Sequence, residues 1–146
     1  MDMFADVKQF HKHVLNVNDG WVPKGGNYRA LLTERLKFLQ EELTEYQTAL
    51  MDNDKLSQLV GIVDSLIDVT YVALGTLYML GIPVEDCWFA VHSCNMAKEP
   101  GETKRKNSVM PDAHKPEGWV GPEGRLRELL RCKAELMELL EERKNV

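Results

Sequence analysis

The run LSQLVGIVDSLIDVTYVALGTLYML, Leu56–Leu80, is apolar on every side of a helical projection except at Asp64 and Asp68. A helix with no polar face belongs among other helices, so this stretch predicts an all-α bundle assembled round it. From Leu59 to Leu80 it also has the length of a membrane span, but two aspartates near its middle would cost about 5–7 kcal/mol on an insertion scale. A core helix is therefore the preferred reading. Asp64 and Asp68 lie one turn apart, on the stripe of Val60, Ile67 and Tyr71. Buried carboxylates persist only when paired or bound to a cation, so both are expected to be buried or to line a cleft.

Upstream lies Gln40-Glu41-Glu42-Leu43-Thr44-Glu45. Leu32, Leu36, Leu39, Leu43, Tyr46 and Leu50 alternate steps of four and three, a bundle seam, and Glu41, Glu42 and Glu45 project away from it. That arc reads either as a solvated acidic face or, because Leu31, Phe38 and Ala49 share it, as a second helix contact. Laid side by side, the two helices would bring Glu41, Glu42, Glu45, Asp64 and Asp68 to one volume. Carboxylates without cysteine favour a hard ion, Mg²⁺ or Mn²⁺, over zinc.

The rest of the chain supplies the frame. Phe4, Val7, Phe10 and Val14 predict a short amphipathic helix over Met3–Leu15. His11 and His13, two residues apart, face different ways and make a poor metal pair. Asn16–Asn27 carries loop signals, and Asp52-Asn53-Asp54 offers a cap for the long apolar helix. Gly81-Ile82-Pro83 reads as a stop and restart, with a fourth helix over Val84–Ala97 that groups Trp88, His92, Asn95 and Met96 on one side. Residues 99–121, rich in Pro and Gly, read as a long loop holding Lys104, Arg105, Lys106 and Lys115. Trp119 there would either stack on a base or anchor the loop. Leu126, Leu129, Leu130, Met137 and Leu140 mark an amphipathic C-terminal helix that covers the bundle or joins subunits. The expected organisation is four main helices in one domain over residues 1–121, plus a helical segment over 122–146.

Composition narrows the function. A chain of 146 residues is one ordinary domain. Its net charge of −5 argues against broad nucleic-acid binding. Cys87, Cys94 and Cys132 have no paired spacing, which points to reduced thiols, and the N-terminus lacks a signal-peptide pattern; a cytoplasmic location without membrane attachment is expected.

Glu41-Glu42-x-x-Glu45 followed by Asp64-x-x-x-Asp68 resembles, in order and spacing, the signature of the all-α nucleoside triphosphate pyrophosphohydrolase superfamily, the MazG-like and phosphoribosyl-ATP pyrophosphohydrolase-like proteins. Asp68-Val69-Thr70-Tyr71-Val72 and His92-Ser93-Cys94-Asn95-Met96-Ala97-Lys98 are similar to further stretches of one branch, and the resemblance spans roughly residues 5–121. Many members carry Glu three residues before the final Asp, where this chain has Ser65 and an acid one step earlier.

The resemblance implies Mg²⁺-dependent hydrolysis of a nucleoside triphosphate to the monophosphate and pyrophosphate. All five acids would hold the metal, and Glu41 or Glu42 would take a proton from water. Asn95, Lys98, Lys104, Arg105, Lys106 and Trp119 would hold substrate, and a homodimer or homotetramer would complete the site. It leans toward pyrimidine deoxynucleotides, with phosphoribosyl-ATP as the alternative substrate. A carboxylate-bridged di-iron bundle needs Glu-x-x-His pairs, and none of the histidines has one. A non-catalytic binding or dimerisation module explains the seams but leaves two acids on an apolar helix without a role.

Overall fold

The computed structural model describes residues 2–102, 108 and 110–143. They gather into two compact units, Met1–Ile82 with Glu135–Val146, and Pro83–Ala134.

In the first unit, helix α1 (Met3–His13) starts where the Asp2 carboxylate accepts from the backbone N–H of Phe4 and Ala5, both at 3.1 Å, satisfying donors that a helix start leaves open. A loop with a short 3₁₀ turn at Lys24–Gly26 leads to α2 (Tyr28–Ala49), capped by Asn27. Helix α3 (Lys55–Met79) is capped by Asp54, whose carboxylate accepts from Ser57 N–H at 2.8 Å and is held below its ordinary pKa by the Ser57 hydrogen bonds. Gln58 closes the α2–α3 turn by donating to the Leu50 carbonyl at 2.8 Å. Helix α3 ends as its Gly and Pro signals predict. Gly81, at φ +63°, donates to Tyr78 O and Ile82 donates to Leu77 O, the paired bonds of a left-handed glycine stop.

The interior of this unit is small. Val17, Tyr78 and Met79 pack with Phe4, Trp21 and Leu31, while Tyr28, His11 and Val7 are fully buried. At the far end of the chain Leu140 seats on Gly26, where an added Cβ would lie 3.1 Å from the Leu140 carbonyl oxygen.

Helix α3 departs from expectation. It was predicted to be enclosed on all sides, yet Leu59, Val60 and Ile67 are 59%, 60% and 56% exposed. Among the described helices its main partners are α2 and, to a lesser extent, α1, and the rest of its apolar surface stays open. Between α1 and α3 runs an apolar groove of about 440 Å³ lined by Met3, Val7, Val63, Ile67, Tyr71 and Leu74. Among the described residues α3 is the one helix with the length and hydropathy of a membrane span.

The second unit holds α4 (Val84–Met96), strands β1 (Glu99–Gly101) and β2 (Asp112–His114), and the first turns of α5 (Glu123–Glu142). The Pro- and Gly-rich span 99–121 predicts a loop without regular structure, but β1 and β2 pair antiparallel with Glu99 opposite His114. That hairpin was illegible because each strand has three residues and β1 contains Pro and Gly, which are depleted in strands. The three cysteines are free.

Candidate metal and phosphate site

Two contacts set α2 against α3. At one end Arg35 Nε donates to Thr76 Oγ1 at 2.9 Å and Arg35 Nη2 donates to the Val72 carbonyl at 2.8 Å. At the other, Ala49 meets Gly61 so closely that a Cβ on the glycine would lie 2.9 Å from the alanine Cβ. The helices are thus antiparallel. Glu42 lies midway between Arg35 and Ala49, and Asp68 lies midway between Gly61 and the Gly75–Thr76 turn, so both fall at the centre of one interface. One turn nearer Ala49, Glu45 lies opposite the turn that carries Asp64.

Electrostatics agrees with this register. The Glu42 carboxyl is pushed above the usual carboxylate range, first by its burial and then by Glu45, Asp68, Glu41 and Asp64 in that order. One side chain therefore feels all four other acids, from both helices. Its Oε2 is shut off from solvent and has no hydrogen-bond partner among the described residues. A stranded carboxylate oxygen among like charges is the environment that a cation relieves.

The remaining acids are more open than predicted. Asp64 is exposed and Asp68 half-buried. The buried member of this turn is Ser65, whose hydroxyl donates to Gly61 O at 2.8 Å. Glu41 and Glu45 are exposed. Lys37 pairs with Glu34 at 2.7 Å, and among the described residues no lysine or arginine forms an ion pair with any of the five acids. No three carboxylate, histidine or cysteine side chains among the described residues are already drawn into an ion cage. The five side chains offer oxygen donors alone, the kind of ligand that a hard divalent ion takes.

The predicted substrate residues that the structure describes belong to the second unit. Lys98 Nζ donates to Asn95 Oδ1 at 2.8 Å and sits 5.7 Å from the centre of the Trp119 ring. Lys115 Nζ lies 4.4 Å from the same ring, and Trp119 Nε1 donates to the Cys94 carbonyl at 2.8 Å. Trp119 thus anchors its loop, and its ring is engaged with two ammonium groups. Ser93, Cys94, Ala97 and Trp119 help line a pocket of about 430 Å³ beside it. His92 is exposed, as are Trp88 and Met96, so the apolar setting expected for this histidine is not found. Lys104, Arg105 and Lys106 lie outside the described residues.

Two residues escaped the sequence reading. Arg35 shares a face with Glu42 two turns on, a legible spacing. His11 is 2% exposed, with Nδ1–H donating to the Val7 carbonyl at 2.9 Å and Nε2 without a partner among the described residues. Its burial could not be read from a helix whose other histidine, His13, is exposed.

The family model described as phosphoribosyl-ATP pyrophosphohydrolase matches residues 7–95, more than half of the chain. That span contains His11, Arg35, all five acids and Asn95, and it stops before Lys98 and Trp119. No curated protein matches the chain.

Proposed function

The chain belongs to the phosphoribosyl-ATP pyrophosphohydrolase family and is a pyrophosphohydrolase, a hydrolase of phosphoric anhydrides, and on that premise we propose that it cleaves nucleoside triphosphates to the monophosphate and pyrophosphate at the acids shared by α2 and α3. The observation that supports this reading is the environment of Glu42, whose Oε2 is stranded and whose pKa is raised by burial and by four further carboxylates, as suits a proton acceptor.

The roles divide by environment. Glu41, Glu45, Asp64 and Asp68 would hold Mg²⁺ or Mn²⁺, with Glu42 joining them when deprotonated. When bound, the ion supplies charge neutralisation on the phosphate oxygens. Glu42, or Glu41 beside it, accepts a proton from the attacking water; a raised pKa brings the carboxylate nearer to working pH, where general-base catalysis is most effective. The water oxygen bonds to the α-phosphorus, the α–β anhydride bond breaks, and pyrophosphate departs with that electron pair. Asn95, Lys98, Lys104, Arg105, Lys106 and Trp119 are proposed to hold the substrate, the lysines and arginine on its outer phosphates.

A pyrimidine deoxynucleotide is the proposed substrate, with phosphoribosyl-ATP as the second reading, favoured by the description of the matching family. A second copy of the chain is proposed to cover the apolar side of α3, giving a homodimer or homotetramer in the cytoplasm. The test is a panel of the eight common nucleoside triphosphates and phosphoribosyl-ATP, with pyrophosphate detection, with and without Mg²⁺. Turnover of a triphosphate only when Mg²⁺ is present is expected. Turnover of phosphoribosyl-ATP alone selects the second reading, and no turnover of any substrate refutes both.

A further inference from the structure

Arg35 stands where the reaction has no direct use for it. It is half-buried, burial holds its guanidinium below the ordinary range, and its hydrogen-bond partners are the neutral Thr76 hydroxyl and Val72 carbonyl. Methionine would fill much the same space without removing a charge from water. What methionine lacks is the ability to index one helix against another. The two acceptors lie one turn apart on α3, and Thr76 Oγ1 itself donates to Val72 O at 2.7 Å, so they form one fixed target. A planar guanidinium meets such a target in one orientation. Sliding α2 by a turn, about 5.4 Å, would break both bonds.

The opposite end of the interface lacks that directionality. Ala49 against Gly61 sets how close the helices come, but two small apolar groups tolerate sliding. Between these ends lie the acids, whose mutual repulsion favours any displacement that separates them. Glu42 sits about 10 Å along α2 from Arg35, two turns away. Behind Arg35, Gly75 leaves room for both its guanidinium and the His11 ring: a Cβ there would overlap the imidazole and lie 3.2 Å from Arg35 Nη2.

We propose that Arg35 is a positioning residue, whose paired bonds to Thr76 and Val72 fix the register that sets Glu42 against Asp68. This rests on the reading of the five acids as a cation site. The test uses the full chain and Mn²⁺ alone, followed by the paramagnetic resonance signal of the free ion, alongside kcat and KM for the nucleotide that turns over. Arg35→Met should weaken Mn²⁺ binding about tenfold, the scale seen when a group that orients metal ligands is lost, and should lower kcat more than it raises KM. Thr76→Val, nearly isosteric, should act in the same direction more weakly, and Arg35→Lys should recover part of the loss. Folded Arg35→Met that binds Mn²⁺ like the unaltered protein overturns the proposal. If that variant fails to fold, Thr76→Val decides, and its unchanged affinity overturns it equally. Unaltered protein that binds no Mn²⁺ removes the cation site itself, a result separable from binding that survives both substitutions.

Discussion

Ala49 and Gly61 stand closer than two Cβ atoms allow: a methyl on the glycine would lie 2.9 Å from the alanine Cβ. The small residues at this end let α2 and α3 approach closely along the stretch that carries the acids. Gly61→Ala should therefore cost about 1–3 kcal/mol by overpacking and raise the Mg²⁺ concentration needed for half-maximal activity. Thermal unfolding together with a Mg²⁺ titration checks both; an unshifted titration would mean that helix separation does not govern the acids.

Asp68 lies opposite Glu42 at the centre of the interface. Asp68→Asn is expected to abolish hydrolysis while leaving helical circular dichroism intact, and Glu45→Gln to raise the Mg²⁺ requirement without abolishing turnover. Unchanged turnover in the first variant excludes Asp68 from the site.

Glu42 gives a stability test that needs no substrate. Its folded pKa lies above the ordinary value because burial and four neighbouring acids disfavour its charge. The folded state then holds the proton more tightly than the unfolded chain, so this group's contribution is most favourable below the ordinary pKa and is lost as pH rises through the raised one. At pH 7 without divalent ions, Glu42→Gln should raise the melting temperature, and the rise should shrink as pH falls into the carboxylate range. A lower melting temperature at pH 7 would show that the acids do not repel one another in the fold.

His11 acts with the opposite sign. Its pKa is lowered chiefly by burial, with the Val7 carbonyl opposing and the Arg35 charge adding to the effect. The unfolded chain therefore takes up the proton first, and the protein should lose stability as pH falls below about 6.5. His11→Leu should flatten that loss in melting curves recorded between pH 7 and pH 5. A loss of the same size in the variant would place its origin elsewhere.

Much of the frame was legible because its signals are local. Asp54 caps α3 and Gly81 ends it through backbone chemistry that a short window of sequence states outright. The two acidic groups were legible because helical spacing fixes which residues share a face. Where the reading missed, the deciding fact was non-local. An all-apolar α3 implied enclosure, but how many neighbours it finds depends on how the whole chain packs. The β1–β2 pairing joins segments ten residues apart in the sequence, and its strands are too short for alternation to show. The partners of Arg35 lie on another helix, so its spacing from Glu42 could suggest a shared face but not a grip on Thr76.

Leu140 resting on Gly26 bears on how the protein can be handled. A gene cut back to end near residue 121 would strip the cover from the glycine turn that launches α2 and would open Met137's side of the hollow beside Tyr28. The final turns are a closing brace rather than a spare tail, and a shortened form that loses activity would be reporting a frayed start to the glutamate helix rather than a missing reactive group.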